Sequence, residues 1–264
     1  MKKKALFVCL LAVLLLLCAC GRNDLLKKAG NNVRIYRWDG EKTVDYWNYE
    51  IKKGRPVVKA LKAVPAKKAP DWTADLAETP LYGVSVDTSD GTGLKALWTG
   101  GYWIDEAGNA WTFDFDFEQL IADTEWHSVQ EHAGIGVPCS RYAAQNGDSW
   151  NPAFLNPAEE PKAPAKVSMT LTAQTDEAVT VTLQNEGSAQ WMYGEYWQLH
   201  VLLEDGWYNV PAIPGNWGFI DIGYLLQPGQ TVEKTFRLDV MYGDLPAGQY
   251  RVVLSGLTAE FVQE

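Results

Sequence analysis

The sequence predicts two folded domains of different class behind an export signal: an α+β domain over residues 33–157, built as an antiparallel meander with one or two helices, and an all-β sandwich over 167–264. Three observations carry this. From Val167 onward the hydrophobic period is strictly two, as in Val167-Ser168-Met169-Thr170-Leu171-Thr172 and Val179-Thr180-Val181-Thr182-Leu183, whereas the earlier half mixes that period with a helical stripe at Val57, Val58, Leu61 and Val64. Residues 158–166, three alanines and two prolines among charges, have the composition of a linker. Finally, Lys2-Lys3-Lys4 precedes an apolar run from Ala5 to Leu17, shorter than the roughly 20 residues a spanning helix needs, which predicts a cleaved secretory signal over 1–19.

The end of that run, Leu17-Cys18-Ala19-Cys20, resembles the lipobox of bacterial lipoproteins. The resemblance implies cleavage after Ala19, diacylglycerol on the Cys20 thiol, and an anchor on the extracytoplasmic face of the cell membrane. Cys18 departs from the more usual Ala, Ser or Thr, yet is still small. Cleavage removes three of the 23 basic residues and none of the 33 acidic ones, leaving a formal charge of −13. Such a surface opposes nucleic acid and anionic lipid headgroups, so the anchor is expected to hold by lipid rather than by charge. Cys9 and Cys18 leave with the signal and Cys20 carries lipid, so Cys139 stands alone and no disulfide forms within the chain, which suits a Gram-positive surface.

Residues 20–32 read as a tether, with a short helix through Asp24–Lys28. Val33–Trp38 alternates as a strand closed by Asp39-Gly40, Thr43–Tyr49 returns, and a helix follows over 55–64 with Lys59 and Lys62 on its wet side. The basic group Lys59, Lys62, Lys67 and Lys68 reads as a solvated helix face, with contact to the membrane or to an acidic wall polymer as the alternative. Leu81–Val86 is a strand ending in the turn Thr88–Gly93. That turn fails the EF-hand pattern, because counting back from Gly91 puts Val86 where a carboxylate is required. Leu94–Thr99, Tyr102–Ile104 and Ala110–Asp116 complete the meander, and 117–126 is a closing helix with Phe117, Leu120 and Ile121 inward. His127 and His132 are five apart, off the four-residue step that sets two ligands on one helix face, so no metal site is expected.

In the second domain, strands are expected at 167–172, 179–183, 196–203, 207–210 and 231–240, with no helix. A tyrosine, Tyr250, follows the turn Leu245-Pro246-Ala247-Gly248 and opens an apolar strand. Together with Asp205-Gly206-Trp207-Tyr208, Leu226-Gln227-Pro228-Gly229 and Tyr242-Gly243, it resembles the bacterial Ig-like domains of envelope proteins. That resemblance implies an immunoglobulin-like sandwich, a tyrosine hydroxyl bonded back to upstream backbone, and a spacer or binding role without catalytic residues.

Twelve Trp and twelve Tyr are the unusual part of the composition. Core packing accounts for most aromatic residues, and the candidates for ligand binding are Trp98, Tyr102 and Trp103 in the first domain and Trp191, Tyr193, Tyr196 and Trp217 in the second. No cofactor motif, phosphate loop or nucleophile elbow is present. The expectation is a non-catalytic, lipid-anchored surface protein that binds or presents an envelope protein or glycan. The rival expectations are a glycan hydrolase using Asp114, Asp116 or Glu118, and an accessory or sensor subunit of an envelope complex.

Overall fold

The computed structural model describes residues 24–204, 206–213 and 218–264. The export signal, Cys20 and Trp217 lie outside the described residues. The chain divides into two compact units, one up to Cys139 and one over Ser140–Glu264.

The first unit is one eight-stranded antiparallel sheet in the order β3-β7-β6-β5-β4-β1-β2-β8. Its strands are β1 (Ala29–Trp38), β2 (Lys42–Asn48), β3 (Lys67–Lys68), β4 (Leu81–Thr88), β5 (Leu94–Thr99), β6 (Tyr102–Asp105), β7 (Ala110–Thr112) and β8 (Ser128–Ala133). Helices α1 (Ile51–Lys62) and α2 (Phe117–Asp123) serve one face. There Val33, Ile35, Val57, Leu61, Val84 and Phe117 belong to one core cluster. A fully buried side chain of this size contributes about 1.5–3 kcal/mol. Residues 134–139 cross the other face. The Thr43 hydroxyl donates to the Gly134 carbonyl and accepts from the Gly136 amide, each at 2.7 Å. A Cβ on Gly83 would lie 2.5 Å from Pro138 Cδ, so only glycine admits the proline ring there.

Several expectations are corrected here. The tether shrinks, because the fold begins with a 3₁₀ turn at Asp24–Leu26 and Leu26 is fully buried in the core. The strand at 110–116 stops at Thr112: the Phe113 amide donates to the Gly101 carbonyl, and Asp116 turns to cap α2. Ser128–Ala133, which lacks apolar alternation, is nevertheless a strand, since the unpaired edge of β2 recruits it.

The second unit contains a three-stranded sheet, β12-β13-β18, and a five-stranded sheet, β11-β16-β15-β19-β20. These comprise β11 (Asn156–Pro157), β12 (Val167–Gln174), β13 (Ala178–Asn185), β15 (Gln198–Leu203), β16 (Gly206–Asn209), β18 (Thr231–Arg237), β19 (Gly248–Leu254) and β20 (Leu257–Gln263). Two small ribbons join β9 (Gln145–Asn146) to β10 (Ser149–Trp150) and β14 (Trp191–Tyr193) to β17 (Tyr224–Leu226). Val179, Val181 and Leu183 are fully buried, and Trp197 meets Phe236 at a ring separation of 5.0 Å. The Tyr250 hydroxyl donates to the Pro246 carbonyl at 2.6 Å, the corner bond that the resemblance implied.

Three boundaries differ from expectation. Residues 140–157 pack with the second unit: α3 (Arg141–Ala144) sends the Arg141 guanidinium to the carbonyls of Pro211 and Asp244 at 3.1 and 3.0 Å. The expected linker is docked as well, with the Ala158 amide on the Trp207 carbonyl and Glu160 3.4 Å from the buried Arg251 guanidinium. A helical turn, α4 (Leu238–Tyr242), replaces the end of the strand expected at 231–240.

Candidate functional site

Strand β1 buries Val33 and Ile35 and turns Arg34 and Tyr36 the other way, so by alternation Arg37 falls on the core side. A cation there requires a partner. Opposite it stands Tyr82, opposite Tyr82 stands Trp98, then Trp103 and Trp111, one side-chain row across five strands. Phe117, the first residue of α2, lies over the middle of the row. Its ring stacks on Tyr82 at 5.0 Å and tilts against Trp98 at 5.3 Å.

One turn of α2 supplies the partner. Arg37 Nε donates to Glu118 Oε1 at 2.7 Å, and the Tyr82 hydroxyl donates to the same oxygen at 2.6 Å. The Tyr82 bond, helped by Arg37, holds the Glu118 carboxyl below its usual range. Burial, then the bond to Glu118, push the Tyr82 phenol well above its own. Asp116 caps the helix, its Oδ1 accepting from the Gln119 amide at 2.8 Å.

These groups line a groove of about 570 Å³, walled by Trp98, Phe115, Tyr82 and Pro80 and rimmed by Glu78, Asp114, Asp116 and Glu118. The positive φ of Gly100 and Gly101 makes the tight β5–β6 turn at its mouth. Four acids face one arginine, so the groove carries negative potential beside a flat aromatic wall. It suits a ligand with an apolar face and hydrogen-bond donors or positive charge at its edge.

The structure separates the first predicted cluster. Trp98 is half-buried on the groove wall, with its indole N–H donating to the Phe113 carbonyl at 2.7 Å. Trp103 is 0% exposed and packs on Phe113, so it belongs to the core and touches no ligand. Tyr102 points by alternation to the opposite face of the sheet.

In the second unit, Trp191 and Tyr193 do come together. They stack at 5.1 Å, and Tyr193 stacks on Tyr224 at 5.4 Å. The Lys234 ammonium lies 5.6 Å from the Tyr224 centroid and 2.8 Å from Glu195, so that aromatic face already holds a cation of the chain itself. Tyr196 is 60% exposed and meets Phe219 instead.

Sequence reasoning missed Arg37, Tyr82 and Glu78. Arg37 had a signal, a basic residue on the apolar side of an alternating strand. Among the described residues no group of His, Cys, Asp and Glu is arranged to hold a metal ion, and no helix is long and apolar enough to cross a membrane. Burial pushes the Cys139 thiol up to about 12.

Residues 163–262 match the family described as the bacterial Ig-like domain. No curated protein matches the chain. The match marks this part of the chain as an Ig-like module, of the kind that serves as an extracellular surface or binding unit.

Proposed function

We propose that this is a lipid-anchored extracytoplasmic binding protein without catalytic activity, whose first unit engages an envelope glycan or protein through the groove at Trp98. The observation that carries the reading is the groove itself: an accessible indole beside Asp114 and Glu78, with the remaining carboxylates committed to structure. Glu118 is tied to Tyr82 and Arg37 and Asp116 to the α2 amide, whereas acid–base hydrolysis needs a carboxyl whose proton is retained near neutral pH. The Ig-like match supports the extracytoplasmic setting, and the resemblance of Leu17-Cys18-Ala19-Cys20 to a lipobox supports the anchor.

The test is tryptophan fluorescence of the mature chain 20–264 titrated with wall polysaccharides and envelope protein fractions. A saturable shift, weakened at least tenfold by Trp98→Phe and by the surface change Asp114→Ala, is the expected result. No saturable binder of either kind, or binding unaltered by both changes, overturns it. Fatty-acid labelling in cells checks the anchor: label on the wild type and none on Cys20→Ala.

The hydrolase reading keeps one observation in its favour, since Asp114, Asp116 and Glu118 do line the same groove. Release of reducing sugar from wall glycan, abolished in the Asp114→Ala, Asp116→Ala double variant, would establish it in place of simple binding.

A further inference from the structure

Every exposed charged residue of α1 is basic. Lys52, Arg55 and Lys59 are exposed along one stripe, opposite the buried Gly54, Val57, Val58 and Leu61. No Asp or Glu occurs anywhere from Ile51 to Pro70, whereas Lys52, Lys53, Arg55, Lys59, Lys62, Lys67 and Lys68 do, in a chain whose formal charge is −10. Ile51, at 60% exposure, extends the stripe with an apolar side chain. Of these cations, Lys53 pairs with Glu125 at 2.6 Å and the Lys62 ammonium donates to the Ala29 carbonyl at 2.9 Å.

That last bond places the helix where the chain enters the fold. Gly54 packs so closely on β1 that a Cβ would sit 1.6 Å from the Asn31 carbonyl oxygen, and Leu26 shares the core with Val57, Val58 and Leu61. Lys27 is exposed in the same entry segment, where its neighbour Lys28 pairs with Asp90 at 3.0 Å. The described chain starts at Asp24, four positions after Cys20, and four extended residues reach at most about 14 Å.

We propose that the basic face of α1, with Lys27, is a membrane-contact surface that seats the first unit on anionic phospholipid headgroups. This rests on lipidation at Cys20, as proposed above. An acyl anchor on so short a leash holds the entry segment within roughly one to two Debye lengths of the headgroups. Each basic residue brought to an anionic surface strengthens adsorption by about 5-fold. The acidic remainder of the molecule is repelled by the same surface, so charge orients the unit as well as holding it.

The experiment supplies the lipid artificially, which separates this inference from the lipidation reading. The mature chain 20–264 is coupled through Cys20 to a maleimide lipid, the buried Cys139 remaining unreacted. It is displayed on vesicles of phosphatidylcholine alone or mixed with phosphatidylglycerol, and acylation of individual lysines is followed by mass spectrometry. Lys52 and Lys59 are expected to react at least 5-fold more slowly on the anionic vesicles than on phosphatidylcholine alone. High salt abolishes the difference by screening the headgroups, and the triple variant Lys52→Glu, Arg55→Glu, Lys59→Glu removes the protection of Lys27. Equal rates on both vesicles overturn the proposal. So does stronger protection by soluble poly(glycerol phosphate) than by vesicles, which would assign the face to a wall polymer. Absence of fatty-acid label on Cys20 in cells, with protection on coupled vesicles intact, would leave the lipid-binding face standing and refute the anchor.

Discussion

The Trp150 indole nitrogen donates to the Tyr250 hydroxyl at 2.8 Å, and that hydroxyl in turn donates to the Pro246 carbonyl at 2.6 Å. One buried tyrosine therefore closes the corner of the sandwich and fastens residues 140–157 to it. A fragment 140–264 is predicted to unfold in one cooperative urea transition, whereas 167–264, lacking Trp150 and Arg141, unfolds at markedly lower urea. Tyr250→Phe leaves both partners buried and unpaired, and its expected cost is about 1–3 kcal/mol in the longer fragment.

Stability should fall with acid in two steps. Burial, then the neighbouring Arg251, bring the His200 imidazole down to about 4 from an ordinary 6.5; Glu160 opposes this from the far side of Arg251, and Asn209 through a hydrogen bond. The unfolded state binds the proton first, so the stability of the second unit is full above pH 6.5 and declines toward pH 4, by up to roughly 1.4 kcal/mol per pH unit. Glu118 has the opposite chemistry and the same sign. Its carboxyl is held low in the folded state, so its contribution is present above its ordinary value and lost below it. Denaturant midpoints across pH check both, with His200→Gln flattening the upper step and Glu118→Gln the lower.

Gly54→Ala is predicted to be severe despite the helix propensity it adds. The Asn31 carbonyl occupies the space a methyl group would need, so α1 must lift from β1. Overpacking of this kind costs about 1–3 kcal/mol or more. The comparison Ala60→Gly, in the same helix, should cost only about 1 kcal/mol.

Thiol titration of unlipidated 20–264 with Ellman's reagent should yield one fast equivalent from Cys20 and none from Cys139 until denaturant is added. Cys139 is 7% exposed and its thiol is pushed up to about 12. Two fast equivalents would contradict its burial.

What could be read from the sequence was whatever local pattern decides. The tyrosine corner at Tyr250, the turn at Thr88–Gly93 and the stripe Val57, Val58, Leu61 follow from neighbours a few residues apart. Where partners come from far along the chain, the pattern misled. Phe113-Asp114-Phe115-Asp116 alternates like a strand, yet Gly101 takes the Phe113 amide and Gln119 takes Asp116. Residues 158–166 look unable to pack, yet Ala158 bonds to Trp207 and the still exposed Glu160 pairs with buried Arg251. For the groove, Trp98 was legible as an aromatic candidate, but not that Trp103, its cross-strand neighbour, would be sealed under Phe113.

Strand order in the first unit also sets a timetable. Inside the sheet β1 must wait for β4, and β2 finds its outer neighbour only in β8, beyond the whole meander. Closing such distant segments costs loop entropy before any contact repays it, and topologies of this kind fold in milliseconds to seconds rather than microseconds. A chain delivered from its amino end must therefore wait twice, with β1 unpaired on its outer side until β4 is made and β2 unpaired on its own until β8 arrives.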